Sequence, residues 1–475
     1  MKIDLSKLER AFNPRCVVVV GDSKKSNFEW LRGQLDFTGK LYSVHVNPET
    51  AKEIEALGIK NYNTLMDIPE PVDLAIVAVN RNIALSALED CIKKDVAAAH
   101  FFTSGFSETQ TDEGKALERD LKEKAEASHF HLIGPNCMGI FNPKLGIKQT
   151  PDQYSGLSGP VGFVAQSGAI AVMFSMEAHF QGLDICKSVS SGNSIALDAT
   201  DFLEYLCHDP EVKAIGIYLE GIKDGRKFFK TLKRISRQKP VVIWKGGRSE
   251  DGDRAIASHT GAIAVSHEIW HQMLKQCGAI AVSNMEQLID TLKALLYLPP
   301  VIGDRVAVIG GSGGQSVAIT DALADIGFRV PPLSRKSYDE LSSFFDVVGG
   351  SYRNPIDTAG PVRRDMRRIT GIVSRDENID NIVLICSTKP GRQIMPPQLQ
   401  GSLELAQQVK DQTSKPLMVL VFVFTPNASV EKREVIFKYQ EMGIPAFPSI
   451  ERGVVALRNA LDYHRFHKNR ELFDS

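Results

Sequence analysis

CVVVVGDSKKSNFEWLRGQLDFTGKLYSVHVN, residues 16–47, is the stretch whose pattern decides the fold. Its opening run, CVVVVG (16–21), is apolar and β-branched up to the glycine, as a strand buried on both faces must be. A polar turn follows, then an amphipathic helix over about 28–37, then the second strand LYSVHVN. Strand, helix and strand in that order make a parallel βαβ unit. The pattern recurs at DLAIVAVN (73–80), HFFTSG (100–105) and HLIGPN (131–136), so residues 1–150 read as a nucleotide-type Rossmann domain. Ligands of such a sheet sit at the strand C-ends. There the chain places residues 21–25, Asn80, Arg81, residues 103–106 and residues 134–137. The first turn, Gly21-Asp22-Ser23-Lys24-Lys25-Ser26, is not GxGxxG, and no acid follows the second strand to hold a ribose. A nicotinamide-dependent dehydrogenase is therefore poorly supported. Lys24, Lys25 and Ser26 suit the phosphates of another nucleotide-bearing ligand, and equally a solvated turn.

A second α/β unit begins at Gly159. PVGFVAQSGAIAVMF reads as a strand, the turn Gln166-Ser167-Gly168, and a helix whose first amides point outward. SVSSGNS (188–194) is a strand and loop, DATDFLEYLCHD a helix capped by Asp198 or Thr200, and AIGIYLEG a buried strand ending on Glu220. After the strand VVIW (241–244), residues 246–258 are rich in Gly, Ser, Asp and Arg. They form an exposed loop ending in His259-Thr260-Gly261. A helix from about Gly261 turns its electropositive end toward that histidine. An accessible imidazole beside fixed dipoles is what a phosphoryl carrier needs, although a single loop histidine is more ordinarily a surface or capping group. Glu220 also lies beyond a strand C-end of this sheet. A carboxylate on the far ring nitrogen would fix the tautomer and stabilise a charged ring; read alone, Glu220 is an ordinary surface acid.

Leu298-Pro299-Pro300 and Gly303 punctuate a linker. Beyond it RVAVIGGSGGQSVAITDALADIGFRV repeats strand, Gly-rich turn, helix and strand, and NIVLICS and PLMVLVFV are further central strands. Residues 310–314 have the composition of a phosphate cradle, and close packing explains their glycines nearly as well.

Across 475 residues the net charge is −1, and the basic runs are interrupted by acids, which argues against nucleic acid. No apolar run approaches a membrane span. Seven cysteines without CxxC or Cys/His spacing, and no signal peptide, predict a cytoplasmic chain and no metal site. Cys137, in a Gly-Pro-Asn-Cys turn, reads more readily as a buried filler than as a reactive thiol.

Five strings taken together resemble the α subunit of the nucleoside-diphosphate-forming acyl-CoA synthetases of the succinyl-CoA synthetase superfamily, and most of all the ADP-forming acetyl-CoA synthetases. They are Gly134-Pro135-Asn136-Cys137 with Gly139-Ile140, Ala165-Gln166-Ser167-Gly168-Ala169, LEYLCHDP, IGIYLEG and KGGRSEDGDRAIASHTGAIA. The resemblance covers nearly the whole chain. It implies an α/β protein with an N-terminal Rossmann-type CoA-binding domain (1–150) and two flavodoxin-like doubly wound domains. The first of these (155–297) would carry the phosphohistidine loop; the second (303–475) would be a ligase domain. It further implies that His259 is phosphorylated and Glu220 stabilises it. Gln166, Ser167, Gly168, Gly313 and Gly314 would face the phosphoryl group. Gly21, Ser23, Lys24, Lys25, Asn47, Asn80, Ser104, Gly105, Asn136 and Cys137 would contact CoA.

The reaction implied is acid + CoA + ATP = acyl-CoA + ADP + phosphate, reversible, and it runs from the acyl-CoA side through an acyl phosphate and then phosphohistidine. The acid is a small organic acid. ATP or ADP and Mg²⁺ are expected on a separate ATP-grasp β subunit, in an α2β2 assembly, and the histidine loop would swing between CoA site and partner. Two positions depart from the family pattern. Asp22 stands where the family has a small residue, and an acid there would repel a diphosphate unless Arg81 offsets it. Asn80-Arg81 replaces the usual Pro-small pair. These departures motivate the rival reading of a CoA or acyl-CoA sensor without turnover.

Overall fold

In a computed structural model the chain is described at residues 3–252, 254, 267–387, 396–423, 425 and 427–474. It forms two compact units, Met1–His179 with Asp184–Ser283, and Phe180–Leu183 with Asn284–Ser475.

The first unit holds two sheets. In the first, strands β1 (Cys16–Val20), β2 (Lys40–Val44), β3 (Lys60–Tyr62), β4 (Leu74–Val77), β5 (Ala98–Phe101) and β6 (Leu132–Ile133) run in the order β3-β2-β1-β4-β5-β6. Every pairing is parallel. This is the Rossmann order, reversing between β1 and β4. Val17, Val18 and Val19 are fully buried, and each contributes roughly 1.5–3 kcal/mol by leaving water. The helix expected over 28–37 is only Glu29–Gly33: Asn27 and Phe28 adopt positive φ and delay its start after the 3-10 turn Lys24–Ser26, and beyond Gly33 the amides of Gln34, Leu35 and Phe37 bond three residues back, in turns rather than helix.

The chain then crosses to the second sheet through β7 (Gly139–Phe141), which pairs antiparallel with β9 (Ile185–Ser190). With β8 (Val161–Ala165), β10 (Ala214–Leu219), β11 (Val241–Lys245) and β12 (Ile280–Val282) the order is β12-β11-β10-β8-β9-β7. Taken from β8, that is the flavodoxin-like order, and its reversal lies between β8 and β10. The helix Ala199–His208 opens on a reciprocal cap in which Asp198 takes the amides of Thr200 and Asp201 while Asp201 takes that of Asp198.

The second unit has one parallel sheet, β13 (Val306–Ile309), β14 (Asn381–Ser387), β15 (Leu417–Phe422) and β16 (Ala446–Phe447), in chain order. Single parallel bridges from Arg329 and Ile356 extend it past β13. The helix Met285–Tyr297 belongs to this unit and lies along the terminal helix Ile450–Asp474. Arg452 holds Asp290 there, and Asn459 donates to Thr291 at 2.8 Å. Buried between them, Lys293 donates to the Ala446 carbonyl at 3.0 Å. Among the described residues no helix is long and apolar enough to cross a membrane.

Candidate functional site

Parallel strands that part at a topological reversal leave a crevice at their C-ends. In the second sheet that crevice lies between β8, which runs into Gln166, and β10, which runs into Glu220. Glu220 is 8% exposed, so its carboxylate sits in the protein rather than in solvent. Tyr218, two residues earlier and on the same face, donates to Glu220 Oε1 at 3.4 Å. Gln166 accepts from the amides of Glu220 and Gly221 with one oxygen and donates to the Gly221 carbonyl at 3.0 Å. The buried Lys245 ammonium donates to the Glu220 carbonyl at 2.9 Å.

Next to this turn the helix Gly168–Phe180 begins, with Ser167 Oγ accepting from Ile170 N. Glycine at 168 has a steric reason: a Cβ would lie 2.6 Å from Met138 Cγ. The loop after β9 closes from the other side. Gly192 has φ +49°, and a Cβ there would meet the carbonyl oxygens of Pro135 and Asn136 at 2.2 and 2.4 Å. Asn193 N and Ile195 N bond back to Pro135 O and Gly134 O, so the ends of the two sheets are knitted together. His259 lies outside the described residues.

At the C-ends of the first sheet the structure gives each expected CoA residue a place. Gly21 has φ +87°, and a Cβ would press on Val79 at 2.5 Å, so the turn passes close to the β4 end. Asp22 corrects the expectation built on its charge. It is 2% exposed, and its carboxylate takes Ser23 N, Ser26 Oγ and Leu31 N at 2.9, 2.6 and 2.9 Å. An acid so engaged shapes the turn from inside. Nor does Arg81 offset it, because its guanidinium spans the Gly105 carbonyl and Glu113.

Ser23 lies on the outer side of that turn, Lys24 reaches Glu53 at 2.9 Å, and Lys25 and Ser104 are exposed. Asn47 caps the helix Pro48–Ala56 through the amides of Glu49 and Thr50, and Asn80 caps the turn Arg81–Ile83. Both side-chain oxygens are thus committed locally. The Gly105 and Phe106 amides are held by Glu108. Asn136 reaches Asn193 at 3.4 Å. Cys137 is packed inward with its thiol toward Phe101 O and Ile133 O, and burial pushes that thiol up to about 12. The cradle at Gly21, the inward Asp22 and the exposed lysines fit a diphosphate-bearing ligand.

Gly313 and Gly314 open the helix Gly313–Asp325 in the second unit, where Gln315 covers the Ser312 amide. The Asp357 carboxylate lies 3.2 Å from where a Gly313 Cβ would be. Beside this turn is a cavity of about 370 Å³ lined by Gly310 and Gly311 of the run read as a phosphate cradle and, unanticipated from the sequence, by Thr358, Arg363, Cys386 and Ser387 among others. The basic run RRDMRR (363–368) was its available signal. Among the described residues no cluster of His, Cys, Asp and Glu is arranged to hold a metal ion.

Two family profiles match the chain: a CoA binding domain over residues 15–143 and a succinyl-CoA ligase-like flavodoxin domain over residues 158–295. The α subunit of ADP-forming acetate–CoA ligase II of Pyrococcus furiosus is 33% identical over 93% of this chain and 94% of its own length. An ADP-forming acetate–CoA ligase I of Archaeoglobus fulgidus is 34% identical over 95% of this chain, which spans 63% of that longer protein. Among solved structures, the acetyl-coenzyme A synthetase 1 of Ca. Korarchaeum cryptofilum, in complex with phosphate and ADP, superposes with a TM-score of 0.85 at 30% identity. The match covers 98% of this chain and 99% of that one.

Proposed function

This chain belongs to the α subunits of the ADP-forming acyl-CoA ligases, in the succinyl-CoA synthetase superfamily, and from that premise we propose how its residues divide the reaction. Phosphate displaces CoA from the acyl carbonyl and gives an acyl phosphate. The His259 imidazole takes the phosphoryl group, releasing the acid as its carboxylate, and hands it to ADP, which regenerates the ring. Splitting the transfer through a nucleophilic side chain lets two separate sites share one phosphoryl group. Glu220 orients the imidazole and balances its charge, while the helix start at Ser167-Gly168 offers amides to the phosphoryl oxygens.

Residues 1–150 bind CoA at the surface made by Gly21, Ser23, Lys24, Lys25, Ser104, Gly105, Asn136 and Cys137, with Asn47 and Asn80 holding the flanking turns. The flavodoxin-like pair, expected at 155–297 and 303–475, divides instead near residue 283, since the helix Met285–Tyr297 packs in the second unit; Gly313 and Gly314 face the phosphoryl group at a second stage. The β subunit is of ATP-grasp type, carries Mg²⁺ with ATP or ADP, and assembles as α2β2 in the cytoplasm.

The observation that supports this division is the buried Glu220 carboxylate beside a helix N-terminus at the β8/β10 reversal. A fixed anion and a fixed positive dipole side by side match an imidazolium and the phosphoryl group it carries. The sensor reading loses its motive with Asp22 turned inward. The experiment is phosphorylation of the chain with its β subunit, ATP and Mg²⁺. Acid-labile label is expected on the wild type and none on His259→Ala, and label persisting in that variant removes the assignment.

A further inference from the structure

We propose that Gln166 is a positioning residue that sets the Glu220 carboxylate, not an anion contact in its own right. The β8–β10 ladder pairs through Ala165 and Tyr218, and its last rung is Gln166 N to Tyr218 O at 3.2 Å. Past that rung the strands separate, one into a helix and the other into a turn, so the next peptide groups of β10 have no strand to bond. Buried amides left that way are costly.

The Gln166 side chain acts as one further peptide unit. Its carbonyl oxygen takes the amides of Glu220 and Gly221, the latter at 2.9 Å, and its amide nitrogen donates to Gly221 O at 3.0 Å. Lys245 holds the carbonyl on the other side of Glu220 at 2.9 Å. Both peptides flanking the Glu220 Cα are thereby fixed, and the Tyr218 hydroxyl steers the carboxylate itself at 3.4 Å. With its oxygen engaged twice and one N–H given to Gly221 O, the Gln166 amide is turned along the strand ends, and its influence on the phosphoryl group runs through Glu220.

This inference rests on the reading that Glu220 serves the phosphorylated histidine. Its test is a rapid-quench measurement of phosphohistidine formation by the αβ complex, with the single variants Gln166→Met and Glu220→Gln and the double variant. A shift of about an ångström at a reacting group costs up to about 100-fold. Gln166→Met is therefore expected to slow formation by about 10- to 100-fold at saturating ATP, with the half-saturating ATP concentration unchanged. In the Glu220→Gln background it should cost nothing further, since coupled residues are not additive.

An undiminished rate in Gln166→Met, or the same loss in both backgrounds, overturns the proposal. A Glu220→Gln variant as fast as wild type sinks this inference and the role given to Glu220 above. A slow Glu220→Gln with a normal Gln166→Met sinks this inference alone. If Gln166→Met does not fold, Gln166→Glu keeps the side-chain length, loses the donor to Gly221 O, and runs through the same cycle.

Discussion

The turns that open the helices Gly168–Phe180 and Gly313–Asp325 are spelled almost alike, Gln-Ser-Gly-Ala and Gly-Ser-Gly-Gly, and they are built differently. Around the first, space is closed. Gly168 backs onto Met138, Gly192 onto two carbonyl oxygens, and the Gln166 side chain is bonded into the next strand. Around the second, Gly314 has nothing within 4 Å of a would-be Cβ, and Gly313 has only the Asp357 carboxylate at 3.2 Å. Glycine is a steric requirement at Gly168 and a permitted residue at Gly313 and Gly314, although Gly311 before them keeps a φ of +75° and a would-be Cβ 2.9 Å from Ile385. The same letters at a strand-to-helix junction therefore do not mean the same site, and what separates them is the wall brought up by segments distant in sequence.

The contrast breaks first at Gly192. Its φ of +49° and the two backbone oxygens at 2.2 and 2.4 Å cannot be relieved by a rotamer change. Gly192→Ala is expected to cost about 3 kcal/mol or more, read as a lowered denaturant midpoint for the chain. A midpoint within error of wild type would mean the first junction is as open as the second.

A second test concerns where each unit keeps its buried charge. The first unit places Glu220 and Lys245 at the strand-end site and pairs its buried Lys187 directly with Asp209, whereas the second holds Lys293 within its helix packing, beside Asp290, Arg452 and the Phe447 ring. Burial lowers Lys293 from 10.5 to about 8, with Asp290 opposing and Arg452 adding to the shift. Between pH 8 and 10.5 the unfolded chain binds a proton that the folded one has lost. Stability therefore rises with pH through that window, and the penalty of the buried charge is fully present below pH 8. Lys293→Met should be more stable than wild type at pH 7 by about 2–3 kcal/mol, the gap closing toward pH 10.5. Unfolding titrations of both proteins at pH 7, 9 and 10.5 read this directly. A gap that is constant with pH would show that Lys293 is hydrated in the folded chain.

The first sheet offers a smaller, third case. With three hydrogen bonds accepted, Asp22→Ala should cost about 2 kcal/mol of stability. Asp22→Asn should leave CoA affinity by calorimetry within about twofold, a difference of no more than ~0.4 kcal/mol. A marked tightening in Asp22→Asn would mean the carboxylate faces the diphosphate after all.

Asp22 also shows why part of the site was not legible in the sequence. That residue 22 follows a buried strand was readable from CVVVVG, because period and apolar content alone fix a parallel strand. Which way its carboxylate turns depends on the Ser26 hydroxyl and the Leu31 amide, and no spacing rule reports a rotamer. Asn47 and Asn80 had a second, purely local reading in the sequence, that of caps. Asn47 stands directly before Pro48, a helix-start signal that accounts for its side chain without a ligand. Gln166 was placed correctly at a strand end, but its partners lie 54 and 55 residues on, in a strand whose adjacency to β8 only the sheet order reveals. The Lys293 environment was hidden for the same reason: the 155–297 boundary put MEQLIDTLKALLY in the preceding domain, whereas it packs along Ile450–Asp474 in the second unit.

The smallest expected effect is the counterpart of the largest. Gly314 occupies the first turn of a helix, its φ is not in the left-handed region, and nothing stands where its Cβ would go. Alanine there restricts the unfolded chain and favours the helix, so Gly314→Ala should stabilise the chain by about 0.4–1 kcal/mol. Its backbone amide stays in place, so phosphohistidine turnover is expected to be unchanged if the helix start meets the phosphoryl group through amides alone. A stabilised but inactive Gly314→Ala would show that a substrate or partner needs the empty volume beside Gly314, and the open junction would then be open for the sake of what docks there.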